Sequence, residues 1–179
     1  MLIQENTGLI LIDVQGKLAR IVNESDQLIS NLKKLIRGCQ ILSVPIIWAE
    51  QNPKGLGRTI PELEDLLRNG KPIEKYSFNA FENENFRQAI INSKKTQWLI
   101  CGIEAHICVY QTTLGLLDHD FEIEVIADCV SSRSKDSVDL ALKKMQSKGV
   151  ALTTIEMCLY ELVKDSTRAV FKEILTLIK

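Results

Sequence analysis

The sequence predicts an α/β fold, a three-layer α/β/α sandwich around a mainly parallel sheet. Two observations carry this expectation. Short apolar runs of strand length recur along the chain, and segments whose apolar residues fall at helical spacing alternate with them. No repeat, low-complexity tract or linker composition interrupts that alternation, so residues 1–179 are expected to form one domain. With 45% hydrophobic residues, 179 residues suffice for a single substantial core.

Taken in order, GLILIDV (Gly8 to Val14) is apolar without alternation, as a strand covered on both faces requires. Ser25 to Ser43 sets Leu28, Leu32, Leu35 and Ile36 on one helical face, with Ser25 as its N-cap. VPIIWAE (Val44 to Glu50) reads as a second strand opened by a proline. QNPKGLGRTIPEL is loop, with Pro61 suited to the first turn of a short helix. PIEKYSFNAF reads as a short strand and a turn, and Glu82 to Lys95 as a helix. QWLICGI (Gln97 to Ile103) is a third buried strand, and AHICVYQTTLGLLDHD is the helix after it. EIEVIAD (Glu122 to Asp128) is the next strand, and SKDSVDLALKKMQSKG a helix that Gly149 stops. VALTTIE is the last strand. Two helical stretches finish the chain, the second being STRAVFKEILTLIK.

Lys plus Arg number 22 and Asp plus Glu 23, a formal net charge of −1 that directs the chain to neither nucleic acid nor an anionic membrane. No apolar run nears the roughly 20 residues of a membrane helix. MLIQENTGLILIDVQ lacks the positive n-region and small-residue cleavage site of a signal peptide. The five cysteines, Cys39, Cys101, Cys108, Cys129 and Cys158, are odd in number and form no C-x-x-C. That pattern suits reduced thiols and a cytoplasmic location rather than a disulfide framework.

Sites in parallel sheets form at the carboxyl ends of strands. Asp13, Glu50, the run GIEAHIC and Asp128 stand at those ends. A carboxylate beside a buried strand must be paired, so Asp13 either caps a turn or serves a site. Cys101, inside an apolar strand, reads as core filler. Cys108, at the start of a helix, is either inert filler or a thiol whose pKa the helix N-terminus lowers. The two histidines, His106 and His119, are 13 residues apart, roughly 220° around a helix. They cannot share a ligand cluster, and Cys101, His106 and Cys108 do not have zinc spacing, so no metal and no other cofactor is expected. His106 reads as a polar residue near a pocket or an interface. On its own residues, Lys75 reads as a solvated loop lysine.

Taken together, ILIDVQ, WAEQNPKGLGRTIPEL, KYSFNAF, ICGIEAHICVYQTTLGLLD and ADCVSSRS resemble the isochorismatase-like cysteine hydrolases, in particular the isochorismatase domain-containing proteins, over essentially the whole chain. The resemblance implies the isochorismatase-like hydrolase fold and a catalytic Asp–Lys–Cys triad of Asp13, Lys75 and Cys108. It implies a non-proline cis peptide at Ile103–Glu104 and an oxyanion hole from the backbone N–H groups of Glu104 and Cys108. Trp48, Gln51, Phe78, Phe81, Ala105 and Tyr110 are candidate pocket residues, each equally readable as core. The nicotinamidase branch carries Asp-x-His and a further His after the second strand to bind metal, and EQNPKGLGRT has no His. Members that cleave a vinyl ether lack the nucleophilic cysteine that Cys108 supplies. Ala105 stands where many members have Thr or Ser, which removes one polar contact. The implied activity is hydrolysis of a C–N bond in a small amide, imide or carbamoyl compound through a thioester. The alternative is a non-catalytic binding or scaffold member with a vestigial site. The resemblance also implies a homo-oligomer, a dimer or larger ring, with the terminal helices and GLGRTIPELEDLL as candidate interfaces.

Overall fold

The computed structural model describes residues 1–179. Its strands are β1 (Thr7–Ile12), β2 (Ile46–Gln51), β3 (Ile73–Lys75), β4 (Gln97–Ile103), β5 (Glu122–Ser131) and β6 (Ala151–Thr153). All neighbouring strands run parallel, in the order β3-β2-β1-β4-β5-β6. Every residue of β1 and of β4 is buried, which is why their sequences are apolar runs without alternation.

Helices cover both faces. On one face lie α1 (Leu18–Ile21), α2 (Ser25–Ile41), α4 (Pro61–Glu64), α8 (Ile155–Val163) and α9 (Phe171–Ile178), packed on Leu9, Leu11, Cys101 and Ile103. On the other lie α5 (Glu84–Asn92), α6 (Tyr110–Leu117) and α7 (Lys135–Ser147), packed on Ile10, Ile12, Trp98 and Ile100. Successive strand residues point to opposite faces, so one apolar run feeds both cores. The short α3 (Pro53–Leu56) follows β2. No helix is long and apolar enough to cross a membrane.

Several boundaries differ from the sequence expectation. Ser25 is not the cap of α2. The N-cap position is Glu24, in the left-handed region at φ 51°, and Ser25 Oγ donates to the Ala19 carbonyl at 2.7 Å. The helix expected over 82–95 is α5 alone, begun by the Asn83 side chain accepting from the Phe86 N–H at 3.0 Å. The segment after β4 opens with a π-helical turn, Ala105–Val109, before α6. The final helix begins only at Phe171.

The largest difference is β5, which runs on to Ser131 instead of ending at Asp128. Ile100 pairs with Val125, but Gly102 pairs with Val130 and Ile103 with Ser131. Two steps along β4 are thus matched by five along β5, a bulge that carries the chain three residues further before it leaves the sheet.

Candidate active site

Strand order reverses between β1 and β4: the chain builds outward through β2 and β3, then returns to β1's other side. Such a switch point opens a crevice at the carboxyl ends of the two strands. Asp13 follows β1, and Glu104 follows β4.

Asp13 leaves the strand in the left-handed region, at φ 52°, with its N–H bonded to the Ala49 carbonyl at 3.2 Å. It is 2% exposed, and Lys75 is fully buried. Lys75 ends β3, two strands away, in register with Gln51 of β2. Its side chain crosses the end of β2, and Nζ lies 2.7 Å from Asp13 Oδ2. The same ammonium donates to Gln51 Oε1 at 2.7 Å and to the Ser77 carbonyl at 3.2 Å. An ammonium has three N–H donors, so Lys75 is saturated by the protein. A solvated loop lysine it is not.

Gln15, also fully buried, holds this arrangement from behind. Its Oε1 accepts from the Gln51 N–H at 2.7 Å, and its Nε2 donates to the Gln51 and Gly57 carbonyls at 3.1 and 2.6 Å. The sequence reading passed over Gln15. Its signal was available: a polar side chain three residues beyond a buried strand needs partners.

Cys108 sits in the π-helical turn, 7% exposed, near enough to Asp13 and Lys75 for both to act on its thiol. Burial pushes that thiol up to about 12; the Asp13 carboxylate adds to the rise, and Lys75 only partly offsets it. Lys75 does favour the thiolate, but burial and the Asp13 carboxylate outweigh it. Lys75 already neutralises Asp13, so a thiolate would be an unbalanced buried charge. Asp13 itself is raised, chiefly by burial and against the pull of Lys75. Asp13 Oδ1 is buried with no protein partner of its own, a free acceptor within the cluster.

The turn between β4 and Cys108 is tightly organised. The Ile103–Glu104 peptide is cis. The Glu104 carbonyl accepts from the Ile107 and Val109 N–H groups at 3.0 and 3.2 Å, while the Glu104 N–H has no backbone acceptor. Orphan N–H groups of this kind mark helix starts.

The remaining candidates scatter. Gln51 is in the cluster. Phe78 is 54% exposed on the loop after β3, beside Tyr76 at 65%. Thr112 Oγ1 anchors that loop by accepting from the Ala80 N–H at 2.9 Å. Trp48 belongs to the core on the opposite face of the sheet from Cys108 and packs on Gly70. Phe81 is buried against the rings of His119 and Phe121, at 4.7 and 6.0 Å. Ala105 is fully buried in the core beneath α6, and Tyr110 presents its ring to Lys144 Nζ at 4.9 Å. Trp48, Phe81 and Ala105 are therefore core residues here, because their elements turn these side chains inward. Of the histidines, His106 Nδ1 lies 2.9 Å from Ser132 Oγ, and His119 Nδ1 lies 2.8 Å from the Gly115 carbonyl.

A sequence profile described as the isochorismatase domain matches residues 7–157. The chain belongs to the isochorismatase family. Isochorismatase domain-containing protein 2 of Danio rerio is 38% identical over 168 residues, covering 93% of this chain and 83% of that protein. Among solved structures, the MAR1 ribonuclease of Caenorhabditis elegans superposes with a TM-score of 0.91 at 36% identity, covering 99% of this chain and 91% of that one. YcaC from Pseudomonas aeruginosa, solved with hexane-2,5-diol and covalent acrylamide, gives a TM-score of 0.93 at 25% identity, covering 98% and 90%. As an isochorismatase-family member, the chain carries the hydrolase fold those structures share, and the buried Asp13–Lys75 pair lies at its switch point.

Proposed function

We propose that this protein is a metal-independent cysteine hydrolase that cleaves a C–N bond in a small amide, imide or carbamoyl compound. The observation that carries the reading is a fully buried lysine ammonium locked to a buried carboxylate beside a near-buried thiol. A buried ion pair is a poor way to stabilise a fold, because desolvation consumes much of its attraction. Its presence at the switch point, next to a nucleophile, is accounted for by chemistry.

In this reading the Cys108 thiol stays protonated until substrate binds. Asp13 Oδ1 takes the proton as sulfur attacks the carbonyl carbon, so attack and proton transfer proceed together. The N–H groups of Glu104 and Cys108 receive the developing oxyanion, a contribution of a few kcal/mol. Collapse breaks the C–N bond, and the Asp13 proton leaves with the amine or ammonia. Water, deprotonated by Asp13, then hydrolyses the thioester and restores the thiol. Lys75, with every N–H engaged, holds Asp13 in place and keeps its carboxylate available; it transfers no proton.

The covalent acrylamide in the Pseudomonas YcaC structure supports the reading, since acrylamide is an electrophile that nucleophilic side chains capture. The name of the C. elegans relative points instead to RNA, but a net charge of −1 offers no excess of cations for phosphates. We also infer a homo-oligomer, with exposed Ile21, Tyr76 and Phe78 as interface candidates; sedimentation velocity reads its size.

The test is a screen of small amides, imides and carbamoyl compounds with purified protein and its Cys108→Ala variant. Turnover that Cys108→Ala abolishes, with the circular dichroism spectrum unchanged, supports the hydrolase. Turnover indifferent to Cys108 overturns the cysteine mechanism, and no turnover while a partner binds at this cleft favours a binding protein with a vestigial site.

A further inference from the structure

The segment Ser131–Ser132–Arg133 has no part in the chemistry above, yet it is fastened to the turn that leads to Cys108. Arg133 Nε donates to Glu104 Oε1 at 2.9 Å, and the Arg133 backbone N–H reaches the same oxygen at 3.3 Å. The Glu104 carboxylate is only 8% exposed, while Arg133 is 60% exposed, so an outer side chain grips an inner one. One residue earlier, Ser132 Oγ meets His106 Nδ1 at 2.9 Å. Both polar side chains of the turn, at positions 104 and 106, are thus tied to two consecutive residues of another element.

The β5 bulge makes this meeting happen. Without the three added residues, Ile103 would stand opposite Asp128, and Ser132 and Arg133 would lie beyond reach of the turn. Bulges beside active sites serve to re-aim side chains, and this one delivers a serine and an arginine to the end of β4.

We propose that Arg133, assisted by Ser132, is a positioning residue that fixes the Glu104 N–H for the oxyanion by holding the Glu104 side chain. The inference rests on the hydrolase reading above. Glu104 carries both the amide that would receive the oxyanion and the carboxylate that Arg133 holds, so freeing the side chain lets the amide drift. Displacements of about 1 Å at such a donor cost up to about a hundredfold in rate.

Two reagents separate this role from general support. p-Nitrophenyl acetate acylates a thiol through an oxyanion: the S–C bond forms, the C–O bond to p-nitrophenolate breaks, and the thiol proton passes to Asp13. Iodoacetamide forms its S–C bond by displacing iodide from a saturated carbon, so no oxyanion arises; the thiol proton again passes to Asp13. Arg133→Ala is expected to slow Cys108 acylation about tenfold while alkylation stays within about twofold, and Arg133→Lys to recover part of the loss. A residue that merely supports the fold would move both rates together or neither. Acylation unchanged in Arg133→Ala, or both rates falling in proportion, overturns the proposal and leaves the hydrolase reading standing. Wild-type acylation that persists in Cys108→Ala refutes the hydrolase reading, and this one with it.

Discussion

Lys75 is the residue whose removal separates structure from chemistry. With Lys75→Met, Asp13 stays buried without its cation, and stability should fall by about 3–5 kcal/mol in urea denaturation. The double variant Asp13→Asn, Lys75→Met removes both charges and should regain much of that loss, while catalysis is absent from both. A double variant as unstable as the single one would mean that the pair stabilises the fold by more than its desolvation costs. Cys108 gives a second check. Its thiol is pushed up to about 12, so its alkylation should climb about tenfold per pH unit from 7 to 10 without levelling near 8.5. A plateau below pH 8 would show an activated thiolate at rest. In the sequence, Asp13 and Cys108 stood out because one ends an apolar run and the other opens a helix. Lys75 was legible only through the family's motif, since nothing local says that its ammonium reaches across β2 to the end of β1. Gln15 was legible as a buried polar group in need of partners, though not which ones; Ser132 and Arg133 were not legible as partners, because each is defined by what another strand brings to it.

The two central strands set a strict limit on what can stand between them. Gly102 of β4 has φ 117°, and an added Cβ would lie 2.1 Å from the Ile12 carbonyl of β1. Gly102→Ala must therefore push β1 from β4 at the mouth of the crevice. We expect a loss of about 3 kcal/mol or more in urea denaturation, together with loss of Cys108 reactivity. A variant of wild-type stability would contradict the close approach of these strands. Strand identities were readable here because β1 and β4 lie between two cores and must be apolar throughout. The bulge was not readable: Asp128 reads as the end of the strand, and only pairing with β4 reveals the extra residues that carry it on to Ser131. The end of β5 was misplaced for that reason, and with it the bracing of the Glu104 turn.

Across the whole molecule, thiol burial becomes a pH limit. Cys39, Cys101, Cys129 and Cys158 lie fully buried in the core beneath α2 and α8, and burial first of all raises each well above its ordinary range. A thiol raised on folding stabilises fully below its unfolded pKa, near 8.5, and loses that contribution as pH climbs toward the folded value. Above pH 9 each core thiol should cost about 1.4 kcal/mol per pH unit. Against a total of about 5–15 kcal/mol, the urea midpoint should fall steeply between pH 9 and 11. Replacing Cys39 and Cys158 with Ala or Val should flatten that slope; an unchanged slope would place the alkaline sensitivity elsewhere.

The same four thiols have a practical use. Each is sealed from solvent, and the fifth is only marginally open. A chromogenic disulfide added to the native protein should therefore register at most one equivalent promptly. The other four can react only when the sheet and its covering helices part. The slow rise toward five equivalents then times spontaneous opening in the absence of any denaturant, and the chain becomes its own stopwatch.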